Sequence, residues 1–303
     1  MPAQPMAEVF GYQINDFSPE AIRHRRHHLC PYNNKVPSCT KDKANDPLGV
    51  CSIYHGEAIT ITCPVRFRED WLIATDAAEF FFPEGTSWTS LTEIRLNDAN
   101  GKSAGNIDVV LVSYNADGEL LDFGALEVQA VYISGNVRNP FAHYMKNPEA
   151  NAQMDWQGER NYPRADFLSS SRKRLAPQLI YKGGILHSWN RKMADAVDRA
   201  FFETLPELPQ VEASQAHVAW LVYDLQENTQ TQRYQLTRTQ TVYTHFTPAL
   251  LRLTNPEPGP EEPFRRLLQR KLKEKQRMAS LSPDAITLPE LFTDDQSLEV
   301  DED

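Results

Sequence analysis

The chain contains no run of about eighteen apolar residues, so no segment of it is built to cross a bilayer as a helix. Its opening stretch, MPAQPMAEVFGYQ, has neither the basic n-region nor the apolar core of a secretory signal, and the expected location is the cytoplasm. Internal repeats and low-complexity tracts are missing too. Cysteine is scarce, with four in 303 residues, and in a reducing compartment these are not expected to form structural disulfides. Nor is there an excess of positive charge. The formal balance is -10, which at first argues against a nucleic-acid partner. The distribution weakens that argument. Asp294, Asp295, Glu299, Asp301, Glu302 and Asp303 crowd the last ten residues with no basic neighbour, and without them the balance is about -4. A negative sum of that size still accommodates a basic cleft.

What is present is enough apolar material, 41% of the residues, for one large core or a core with a small satellite. Residues 1–65 are rich in Cys, His, Arg, Pro and Asn and show little periodicity, the composition of loops pinned by a metal. Residues 66–254 mix helix and strand signals. WLIATDAAEFFF (71–82) reads as a helix or a buried strand, and TSLTEIRL (89–96) as a short helix. IDVVLVSY is a strand, Asn115-Ala116-Asp117-Gly118 a turn, and LLDFGALEVQAVYI the next strand, so the pair forms a hairpin. Trp189 to Leu205 has helical spacing and stops at Pro206. HVAWLVYDL and QRYQLTRTQTVYTHF read as two further strands. Residues 255–281 comprise a linker and a basic helix from Phe264 to Met278, with seven Lys/Arg against Glu274. The acidic tail 282–303 is expected to be poorly ordered. The class is α/β, with a mixed β-sheet and a small N-terminal metal-binding lobe.

The chemistry concentrates in that hairpin. Asp108 opens one strand, and Glu127 and Gln129 lie two apart on the next, so both project to one sheet face. Antiparallel pairing can bring Asp108 against Glu127. Two carboxylates at the edge of an apolar strand pair are costly to desolvate without a cation. Mg²⁺, which takes one or two carboxylates plus waters and phosphate oxygens, supplies one. The arrangement resembles the PD-(D/E)xK nuclease signature, with Gln129 where that signature has lysine. A glutamine can orient a water but carries no charge, which moves the burden of activating the nucleophile to the metal.

Cys30, Cys39, Cys51 and Cys63 fall within 34 residues, at spacings x8, x11 and x11. The CxxC knuckle common in metal sites is absent. The segment between them is nevertheless polar and turn-rich, and four thiolates suit Zn²⁺ or Fe in a closed structural site. The alternative is four ordinary buried cysteines. His24, His27 and His28 lie beside Cys30 among Arg23, Arg25 and Arg26. They are read as a solvated basic helix face touching DNA phosphates, with metal ligands or a pH switch as the other readings.

These residues sit in a wider pattern: FGY (10–12), CPYNNKVPSCTKDKANDPLGVCS (30–52), TCPVRF (62–67), TEIRLND, NIDVVL and LEVQAVYISGN. Over most of its length the chain resembles the NotI restriction endonuclease family. The resemblance implies a PD-(D/E)xK core, an iron atom held by four cysteines, and a catalytic set of two glutamates, an aspartate and a glutamine. Carried over residue by residue, that set is Glu93, Asp108, Glu127 and Gln129, with Glu93 on a short helix before the first core strand. The shorter length resembles the EagI-like branch of that family, which implies a GC-rich palindrome such as CGGCCG.

The expected function is that of a homodimeric type II restriction endonuclease acting on double-stranded DNA with Mg²⁺ at Asp108 and Glu127, and with iron or zinc on the four cysteines. The alternative is a non-catalytic, cysteine-metal DNA-binding regulator. Guanine readout would favour arginine; Arg95, Arg138, Arg172, Lys173, Arg174, Lys182, Arg191 and Lys192 are candidates, each read first as a surface or phosphate-contacting residue. Lys182-Gly183-Gly184 lacks the strand–GxxxxGK[ST]–helix order of a nucleotide site.

Overall fold

The computed structural model describes residues 2–33, 35–43 and 45–277. The acidic tail 282–303, and Met278 at the end of the expected basic helix, lie outside the described residues. Met1–Asn255 forms one compact unit and Pro256–Asp303 a second. Within the second unit the basic helix runs Glu261–Arg277. No helix among the described residues is long and apolar enough to cross a membrane.

The first unit opens with a small antiparallel sheet. β1 (Met6–Val9) pairs with β2 (Tyr12–Gln13), then the helix α1 (Pro19–His27) follows, started by the Ser18 hydroxyl, which accepts from the Ala21 amide. A short ribbon of β3 (Asp42–Lys43) and β4 (Asp46–Pro47) precedes β5 (Val50–His55) and β6 (Ala58–Ile61), and the sheet order is β2-β1-β5-β6. The helix α2 (Leu72–Phe81) buries Ile73, Ala74, Ala77, Phe80 and Phe81 at helical spacing, which resolves the 71–82 segment as helix.

The large sheet carries β7 (Trp88–Asn97), β8 (Ser103–Tyr114), β9 (Leu120–Gln129), β12 (Met193–Asp198), β13 (Val218–Asn228) and β14 (Arg233–Thr244). Between β9 and β12 lies a second ribbon, β10 (Tyr132–Ser134) with β11 (Arg164–Asp166). The order is β14-β13-β12-β9-β8-β7, with β12 parallel to both β9 and β13 and the other pairs antiparallel. The chain is therefore α/β with a large mixed sheet. α2 packs on one face with Leu126, Val128 and Ala196, and a helical run from 167 to 188 covers the other with Leu175, Leu179 and Leu186.

Two expectations are corrected here. TSLTEIRL is not a helix but most of β7, an edge strand that is largely exposed, so its β-branched residues found ladder partners instead of a helical core. Within 189–205 the segment Met193–Asp198 is a strand, buried at every residue and flanked on both sides by parallel neighbours. Such a strand shows no alternation, because both of its faces are covered. Asp195 and Asp198, three apart, mimic helical spacing.

Candidate active site

The hairpin sets the site. Asn115 closes the turn with its side-chain oxygen accepting from the Asp117 and Glu119 amides, at 3.0 and 2.9 Å, while Gly118 adopts φ +81°. The resulting register pairs Val109 with Leu126, so one step along the ladder Asp108 stands opposite Glu127. Asp108 also reaches across: its Oδ2 accepts from the Val128 amide at 2.9 Å. On the outer side β7 pairs Thr92 with Val109 and Ile94 with Ile107, which leaves Glu93 level with Asp108. Glu93 has φ +58°, a left-handed conformation that glutamate rarely adopts, and its side chain is exposed. Three of the expected acids thus lie at one level on three adjacent strands. Glu93 is on a strand rather than on the helix expected for it.

Glu127 is fully buried, and burial with the nearby Asp108 charge pushes its carboxyl well above the ordinary range. Its Oε2 accepts from Lys182 Nζ at 2.6 Å and from Gln178 Nε2 at 2.9 Å, while Oε1 has no hydrogen-bond partner. Gln129, also buried, donates through Nε2 to Gln178 Oε1 and to Asp195 Oδ1, the latter at 3.3 Å. Asp195 lies level with Glu127 on the parallel neighbour β12. It is completely buried, its carboxyl is pushed up to about 7 by that burial, and its Oδ2 is unpartnered.

Gln178, Lys182 and Asp195 complete the cluster, and only Lys182 had been singled out, as a candidate reader of guanine. That placement is corrected: Lys182 is 4% exposed and faces the carboxylates. The helical run contains Pro177, which has no N–H to donate, and π-turns at Ser171–Leu175 and Leu179–Gly183 bracket it. Gln178 and Lys182, four apart, then meet the same Glu127 oxygen. The sequence signal for Asp195 was an acid inside an apolar segment, which becomes informative only once that segment is known to be a central strand.

Elsewhere the expected DNA-facing cations divide. Arg138 is held by Asp42 and Asp46, Arg191 by Asp122, and Lys192 by the Phe80 carbonyl at 2.7 Å. Arg95, Arg172 and Lys173 are exposed. In α1, Arg23, Arg26 and His27 face solvent, but Arg25 turns inward to the Gln13 and Asp16 carbonyls, both at 2.5 Å, and His24 is buried as well. The basic face is therefore narrower than the sequence suggested.

Cys30, Cys39, Cys51 and Cys63 are free thiols lining one small cavity beside Phe10 and Tyr32. Burial pushes Cys30 up to about 11 and Cys51 well above the ordinary thiol range, and neighbouring cysteines raise both further. The donor chemistry suits a soft ion. As the side chains stand, no three His, Cys, Asp or Glu among the described residues form a group able to hold a metal. A thiol tetrad would have to draw together around its ion. A carboxylate pair has no such need, since Mg²⁺ fills the rest of its shell with water and phosphate oxygens, and the bare Glu127 Oε1 is the atom it would satisfy.

Comparison with known proteins gives one family: the model described as restriction endonuclease NotI matches residues 8–236, a stretch that includes every residue of the cluster and all four cysteines. Among curated proteins there is no match.

Proposed function

Because the chain belongs to the NotI restriction endonuclease family, we propose that it is a type II enzyme making Mg²⁺-dependent double-strand cuts in DNA, with a PD-(D/E)xK core. The observation that carries this reading is a buried carboxylate, Glu127, left with one bare oxygen beside a second acid, Asp108. Asp108 and Glu127 would hold the ion. Glu93 is level with them on β7 and joins the set from the solvent side. When bound, Mg²⁺ supplies an activated water at neutral pH and screens the charge of the phosphate. Gln129 ties the helical run to β12, keeping Glu127 and Asp195 in place. Attack on phosphorus from the side opposite the 3′ oxygen leaves a 5′-phosphate and a 3′-hydroxyl.

Three finer readings accompany this one. The four cysteines hold iron or zinc as a structural ion in the lobe of residues 1–65. The enzyme acts as a homodimer, since a palindrome presents the same half-site twice. CGGCCG is the site to try first. The non-catalytic regulator is not favoured, because a DNA-binding module has no use for buried carboxylate oxygens without donors.

The test is digestion of unmethylated plasmid and phage DNA with Mg²⁺, followed by sequencing of the fragment ends. Discrete fragments ending in one palindrome are expected, with Asp108→Asn slower by on the order of 10³-fold, since metal-site stabilisation supplies several kcal/mol. Intact DNA that is bound but never cut would overturn the catalytic reading.

A further inference from the structure

The nuclease signature asks for a cation next to its acids, and Gln129 at the expected position carries none. Its amide donates to Gln178 and Asp195 instead. The charge is present all the same, from another element. Lys182 Nζ lies 2.6 Å from Glu127 Oε2 and 2.8 Å from the Asn106 carbonyl, two residues before Asp108 on the same strand. It therefore sits between the two strands that carry the acids. Lys182 and Gln178 both bond Oε2, which leaves Oε1 bare and fixes the plane of the carboxylate. A lysine 4% exposed is expensive to desolvate, and the glutamate beneath it needs it.

We propose that Lys182, delivered by the helical run instead of the strand, is the active-site cation, orienting Glu127 and carrying the positive charge toward the scissile phosphate that Gln129 cannot. The proposal rests on the reading of the cluster as a Mg²⁺-dependent nuclease centre. It differs from a purely structural ion pair in one respect: the charge matters, and it can be supplied from either element. Residue 129 lies on the same face as Glu127, within reach of the same space.

The experiment compares wild-type protein, Lys182→Met and the double variant Lys182→Met/Gln129→Lys. Single-turnover cleavage of plasmid with Mg²⁺ is read alongside Mn²⁺ affinity by calorimetry in the absence of DNA, and gel shift with Ca²⁺. Lys182→Met should slow cleavage by on the order of 10²–10³-fold, with Mn²⁺ binding kept or tightened, because a competing cation has left the carboxylates. The double variant should recover at least about tenfold of the loss, one decade being ~1.4 kcal/mol. Cleavage by Lys182→Met within about tenfold of wild type overturns the proposal, as does a double variant that binds DNA but cleaves no faster than the single one. Mn²⁺ binding that falls in step with cleavage also overturns it, since that marks a structural role. Should Lys182→Met not fold, the double variant carries the test alone, since it restores the buried charge: cleavage supports the proposal, and binding without cleavage overturns it. Failure of the wild-type protein to cut any DNA would instead sink the parent reading.

Discussion

The cysteine pocket and the carboxylate cluster are built on opposite plans. The first draws all its groups from 34 consecutive residues, three of the cysteines on loops and only Cys51 on a strand, β5, and its thiols converge without closing. The second draws Glu93, Asp108, Glu127, Gln178, Lys182 and Asp195 from four strands and a helix, and the strand acids are held by ladder register. A ladder positions side chains without help from any ligand. A loop cannot, because each free residue costs about 1–2 kcal/mol of backbone entropy to fix. On the proposed reading the cluster would be ready for Mg²⁺ as it stands, whereas the pocket would need its ion to be finished.

If that contrast holds, removing a cysteine and removing an acid should have different consequences. If the four cysteines hold the proposed ion, Cys51→Ser should take the metal content of the purified protein from stoichiometric to background and strongly lower its melting temperature, since structural thiolate sites return on the order of 10 kcal/mol on binding. Elemental analysis with circular dichroism checks both. An unchanged melt with no metal in either protein would show that four buried thiols suffice, and the contrast would collapse.

A smaller effect concerns what fastens the small sheet to the large one. Arg66 is fully buried and bonds Glu8 of β1 at 3.1 Å, Glu69 at 2.8 Å and the Tyr234 carbonyl of β14 at 2.8 Å, with Tyr32 4.3 Å beneath the guanidinium. Arg66→Met strands Glu8 and should cost about 3–5 kcal/mol in chemical denaturation. A loss under about 1 kcal/mol would mean that the small sheet is held by apolar packing alone.

The second fastening is pH-sensitive. Asp198, on β12, accepts from the Ile61 amide of β6 at 2.9 Å and caps the next helix through the Phe201 amide at 3.1 Å. Burial pushes its carboxyl from the ordinary 3.8 up to about 7. A raised acid holds its proton in the folded state after the unfolded chain has released its own. Its contribution is therefore full below 3.8 and lost as the pH rises through about 7. Asp198→Asn has no such proton, so the melting-temperature advantage of wild type over the variant should shrink by a few degrees from pH 4 to pH 7.5. A constant difference across that range would place the charge elsewhere.

How much of this was legible in advance follows from distance along the chain. The hairpin could be read because a dense β-branched run and an Asn-Ala-Asp-Gly turn mark two strands joined locally, and with them the meeting of Asp108 and Glu127. The four cysteines could be read together because they are neighbours in sequence. Glu93 was matched to the family set but assigned to the wrong element, since Thr, Leu and Ile in an edge strand give a spacing that also fits a helical turn. Asp195 was hidden in a segment whose helical pattern was an artefact of burial on both faces. Lys182 looked like any surface lysine beside two glycines. It is 55 residues from Glu127, and Asp195 is 66 from Gln129. Which helix crosses over which strand is decided by how two apolar surfaces pack, and packing depends on side chains far apart in the chain. Composition and local pattern therefore determined that two acids would meet on a hairpin. Only the tertiary structure could decide that a lysine from the crossing helix would meet them there, because no local rule links a residue on one layer to a residue on another.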